Sequence, residues 1–191
     1  MLWGNNIGLS RLMPTVHLLP NSTISNEWDR DPAFGFPHTM LDDNHSGTIL
    51  SDSSELRTSV VGEVFEVGFA DFTESFSSID NIQAVVVAGN PSRGGSFTIK
   101  TFINDNSGSN YYTENSVSLS ASGTYRTITY TARTTSDGSD AWTNSELNNL
   151  QLKVEAEAIS TGTVYCTFCY IAVTYTAVTS TSNAILMGTN F

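Results

Sequence analysis

The sequence predicts an all-β chain, an antiparallel sandwich or barrel, and three observations carry that expectation. Of 191 residues, 25 are Ser, 24 are Thr and 16 are Asn, while 14% are charged and 39% apolar. Polarity therefore resides in small uncharged side chains, which suit strands and turns and not disorder. Apolar residues recur at a period of two along most of the chain, and clusters of Gly, Asn, Asp and Ser separate the runs at the spacing of a sandwich. The length matches one domain by the ~150-residue prior.

Taken in order, Thr48 to Leu50 is a weak strand candidate. Glu63 to Phe69 is a half-buried strand with Phe65, Val67 and Phe69 on one face. Ile82 to Ala88 is apolar on both faces and suits a central strand, followed by a Gly89 to Gly95 loop. Ser96 to Ile103 places Phe97, Ile99, Thr101 and Ile103 on one face. Asn110 to Thr113 and Val117 to Leu119 are two further weak candidates, and Thr124 to Thr131 is rich in Thr and Tyr. Thr143 and Glu146 stand at capping-box spacing with Leu147 and Leu150 behind them, so a short helical turn is expected over 143–150, with Trp142 as a lid on the core. Leu150 to Ala158 alternates cleanly, with Leu150, Leu152, Val154 and Ala156 inward and Gln151, Lys153, Glu155 and Glu157 toward water. Thr163 to Thr176 is long and apolar on both faces.

The ends have no period. Residues 1–14 form an N-terminal arm bearing Leu2, Trp3, Ile7, Leu9 and Leu12, and residues 178–191 form a C-terminal arm bearing Ile185, Leu186 and Phe191. Exposed apolar segments mark contact sites, so the arms are expected to dock on a neighbouring subunit; the alternative is that each folds back on its own body. The sandwich between them spans 15–177.

Eight basic against 19 acidic residues give a net charge of −11, which repels phosphate backbones and anionic membranes alike. No nucleic-acid or membrane partner is expected. No run reaches the ~20 apolar residues of a membrane span, and Met1 to Pro14 lacks the features of a signal peptide, so assembly in a cytoplasm is expected. Cys166 and Cys169, three residues apart on a strand, are expected to face opposite ways about 10 Å apart as buried structural thiols.

Catalytic material is sparse. There are three histidines, His17, His38 and His45, and no nucleophile elbow, metalloprotease motif or phosphate-binding Gly loop. His38 and His45 flank Asp42-Asp43-Asn44, with Asp29, Asp31 and Asp52 close in sequence, but the calcium-loop register is missing. No acid pair is marked out for glycoside hydrolysis. Trp28, Tyr111, Tyr112 and Tyr125 are candidates for stacking on sugars, and most of them suit the core or a cross-strand pair better. No enzyme, cofactor or metal is expected.

Leu18 to Trp28, Leu41 to Leu50, Ile82 to Val87, Ala141 to Leu150 and Val164 to Tyr175, in this order, resemble the jelly-roll-like β-sandwich of virion proteins of tailed bacteriophages. The Trp142-Thr143 element before the acidic helical turn is the most specific piece. The resemblance implies a jelly-roll-like fold and a structural particle component on the exterior of a virion. The short chain favours a capsid decoration or cement protein, a trimer whose arms contact the major capsid protein and neighbouring copies. The alternative is a neck, tail or fibre component that binds a host glycan through loops carrying Arg93, Tyr111 and Tyr112.

Overall fold

The computed structural model describes residues 13–30, 36–41, 55–90, 95–105, 112–120, 125–136 and 140–178. Among them, in chain order, lie β1 (Thr15–Leu18), β2 (Pro20–Asn26), β3 (Asp29–Arg30), α1 (Pro37–Met40), β4 (Leu56–Thr58), β5 (Val64–Phe69), β6 (Phe76–Gly89) and β7 (Ser96–Asn104). They are followed by β8 (Tyr112–Ser120), β9 (Tyr125–Thr129), α2 (Asn144–Leu147), β10 (Gln151–Ile159) and β11 (Val164–Ala177).

Two antiparallel sheets form. The first has the order β3-β4-β11-β6-β9, with β1 also on β11; the second has the order β2-β5-β10-β7-β8. From β4 onward the pairs are β4 with β11, β5 with β10, β6 with β9 and β7 with β8. That is one long hairpin rolled up so that its pairs alternate between two sheets, which is the jelly roll. β4 and β1 share one side of β11, β4 at Val164 to Cys166 and β1 at Ile171 to Thr174.

The alternation read from sequence lines the core. Phe65, Val67, Ile99, Leu152, Val154 and Ala156 are wholly buried between the sheets, and Trp142 and Leu147 close one end of the same cluster. The capping box is present: Glu146 N–H donates to Thr143 Oγ1 at 3.3 Å, and the Glu146 carboxylate accepts from Thr143 N at 2.7 Å. On the solvent side of β10, Gln151, Lys153, Glu155 and Glu157 are half-buried, the first three because β5 and β7 flank them on both sides.

Several expectations are corrected. The two candidates at 110–113 and 117–119 fall on one strand, β8 (Tyr112–Ser120), since the polar Asn115 and Ser116 between them pair with Thr101 and Lys100 of β7 and the strand continues through a register slip at Glu114. β6 begins at Phe76, six residues before its apolar run; β2 occupies a Ser/Thr/Asn stretch that shows no periodicity, and β1 alternates over only four residues. The strand expected at Thr48 to Leu50 lies outside the described residues.

The cysteines do not face opposite ways. Pairing with β6 slips between Cys166 and Phe168, a bulge at Thr167 that reverses the inward phase of β11. Val164 and Cys166 line the core before it and Cys169, Ile171, Val173 and Tyr175 after it, so both thiols are buried on the same face.

Candidate functional site

The strands fix which termini and loops share an end of the sandwich. β1 runs antiparallel to the end of β11, with Thr15 opposite Thr174 and their hydroxyls 3.0 Å apart. Tyr175 N–H donates to Pro14 O at 3.1 Å, and Val178 N–H reaches Ser75 O at 3.4 Å. The two terminal segments are therefore rooted side by side at one end, where Met13 and Val178 are each 56% exposed. The arm residues Leu2, Trp3, Ile7, Leu9, Leu12, Ile185, Leu186 and Phe191 lie outside the described residues.

The two loops expected to bind a ligand are anchored at opposite ends of one strand. Gly89 and Gly95 bracket one loop at the start of β7, while Asn104 and Tyr112 bracket the other at its finish. Nine residues of extended β7 separate them, about 30 Å. Arg93 and Tyr111 lie outside the described residues, and Tyr112 is the first residue of β8. Of the other aromatic candidates, Trp28 is a core residue: it is 2% exposed, its Nε1–H donates to Glu63 O at 3.0 Å, and Phe65 packs edge-on against its ring. Tyr125 is half-buried and its hydroxyl donates to the Glu55 carboxylate.

The titratable groups are held structurally. His38 Nδ1 lies 3.0 Å from Thr23 Oγ1, and Phe36 stacks on its ring. His17 lies against Tyr170. Burial pushes the Cys166 thiol up to about 12 and that of Cys169 well above its ordinary value, so both stay protonated and are poor nucleophiles or metal ligands. Among the described residues no three of His, Cys, Asp or Glu are grouped to hold a metal ion, and His45 lies outside them.

Sequence reasoning missed one cluster. The chain has two lysines, Lys100 and Lys153, and both ammonium groups sit over the Phe102 ring, 5.3 and 5.0 Å from its centroid. Lys100 also lies 4.0 Å from Glu157. Alternation places each of these on the outer face of the second sheet, but only the register, with Lys153 opposite Phe102, brings them together. With Glu157 against Lys100 and Glu66 opposite Lys153 across the sheet, positive charge there is balanced, and the cluster pins an outer face instead of attracting an anion.

No family model and no curated protein matches the chain. Among solved structures, a truncated AlyQ with CBM32 and alginate lyase domains is similar, with a TM-score of 0.45 and 12% identity over 85% of this chain and 34% of that one. This chain thus spans about a third of the protein it resembles, and a likeness so distant assigns nothing.

Proposed function

We propose that this chain is a structural component of a bacteriophage particle, a decoration or cement protein on the outside of the shell that clamps neighbouring subunits through its terminal segments. The observation that carries the proposal is the common root of those segments: Pro14 and Val178 leave the sandwich side by side, with Met13 and Val178 exposed. Two apolar arms from one point reach one subunit boundary together, adding buried area at about 25 cal/mol per Å² without enlarging the body. The partners are the major capsid protein and other copies of this chain, arranged as a trimer.

The rest of the molecule is consistent with a mechanical role. A jelly roll with a wholly buried core gives a rigid anchor, and the net charge of −11 keeps finished particles apart. The test is the copy number of the chain per purified particle against the major capsid protein, by quantitative mass spectrometry. A simple fraction supports the shell assignment. A count far below it moves the chain to the neck, tail or fibres and overturns the clamp. Deleting residues 1–13, which stops short of the Pro14 to Tyr175 hydrogen bond, leaves a folded body that no longer occupies the particle.

A further inference from the structure

The second sheet ends in two edge strands, β2 and β8, and they differ. β2 opens with Pro20, slips register twice against β5, and is covered by α1, whose His38 bonds Thr23 through both its ring and its backbone N–H. β9, at the edge of the first sheet, is five residues long and exposes Arg126. These are the devices by which proteins blunt an edge. β8 has only one of them, a register slip against β7 between Asn115 and Tyr112: over nine residues it holds no Pro, Lys or Arg and a single acid, Glu114. It pairs with β7 on one side, its other side has no strand among the described residues, and Ser116 and Ser118 are exposed.

We propose that β8 is the acceptor edge for a strand supplied by the C-terminal segment 179–191 of a second copy of this chain. The inference deepens the proposed function, since it rests on the reading that the terminal segments dock on neighbours.

Three arguments select that occupant. Segment 179–191 contains no Asp, Glu, Lys or Arg in a chain of net charge −11, so two copies meet with least repulsion where this segment meets this edge. Its thirteen residues extend to about 40 Å, enough to cross a subunit boundary and still pair with much of β8. Direction then favours a second copy over the chain's own arm. Every described pair is antiparallel, and an added strand that continues this pattern runs from the Ser120 end of β8 toward Tyr112. Val178 is rooted at the Tyr112 end, the end where β5 passes to β6 and Ala177 pairs with Phe76. The chain's own arm would spend its length reaching the far end before it could turn back. A copy related by ring symmetry delivers the arm from the correct end, and a closed ring fills every edge and uses every arm.

The test is amide exchange by NMR on the full-length protein, read at alternate residues of β8. Those that point away from β7 are expected to exchange at least about tenfold slower at high concentration than on dilution, with a light-scattering mass that is an integer multiple of the chain. The full-length variant Ile185→Asp with Leu186→Asp, and separately a chain ending at Val178, lose that protection and the higher mass while the β7-bonded amides keep theirs. Unprotected outward amides in an oligomer overturn the edge assignment. Protection that persists in a monomer overturns the second copy as donor. If arm variants lose particle occupancy while β8 stays unprotected, the clamp stands and this inference falls; if β8 is protected but the particle count is not a simple fraction, the reverse holds.

Discussion

Gly62 and Gly95 both hold positive φ, +88° and +82°, yet their surroundings separate them. A Cβ at Gly62 meets nothing within 4 Å, whereas at Gly95 it runs into the Thr161 carbonyl and hydroxyl. Gly62→Ala therefore costs about 1 kcal/mol of backbone strain, and Gly95→Ala costs more than about 2 kcal/mol because backbone must move as well; urea midpoints at constant slope rank the two. The thiols give a pH dependence. With Cys166 raised to about 12 and Cys169 and Tyr130 also raised, all by burial, the folded state keeps protons that the unfolded chain releases above pH 9 to 10. Stability is full below that range and falls as pH rises through it, by about 1.4 kcal/mol per pH unit for each group that ionises only when unfolded. Urea titrations from pH 8 to 11 measure the slope, and the Cys166→Ala/Cys169→Ala variant flattens it. At this scale the sequence told buried from exposed unevenly. Leu152 and Val154 were legible because alternation is local, while for Trp28 the core was only the favoured of two readings, because its partners Glu63 and Phe65 lie across the chain.

Elements were legible where one face alternates and obscure where a bulge or a polar face interrupts it. The capping box of α2 could be read from two residues because all its bonds are within one turn. Thr143→Ala removes the oxygen that accepts from Glu146 N and is expected to cost about 1 kcal/mol, a fall in Tm of about 2–4 °C, with particle occupancy unchanged. β11 shows the opposite case. Its apolar run covers both faces partly because Thr167 reverses the phase and partly because Phe168 and Ala172 are buried on the outer side. Period alone cannot distinguish a bulge from a strand covered on both faces. Deleting Thr167 is expected to turn either Cys166 and Val164 or the whole of Cys169 to Tyr175 away from the core, and to leave the protein unfolded in circular dichroism and urea titration. Thr167→Ser keeps the residue count and is expected to fold. β8 reads as two fragments in the sequence because Glu114-Asn115-Ser116 is polar and interrupts the apolar alternation.

At the scale of the molecule, the arms and the body have opposite tendencies, and ionic strength separates them. Residues 179–191 are uncharged and residues 1–12 carry one Arg, so the sandwich and its loops carry −12 of a chain whose net charge is −11. Two bodies brought together by their arms repel each other through that charge, over a Debye length of about 30 Å at 0.01 M salt and about 8 Å at 0.15 M. An association driven by apolar arms and backbone pairing therefore tightens as salt rises, because screening removes the repulsion and leaves the buried area untouched. A contact made by complementary charge weakens over the same range. Sedimentation velocity of the full-length protein at 0.02, 0.15 and 0.5 M salt is expected to show the assembled fraction rising about tenfold or less across the series, and the Ile185→Asp/Leu186→Asp variant to remain monomeric throughout. An assembled fraction that falls with salt would assign the contact to charged side chains on the body and leave the arms without a role in self-association.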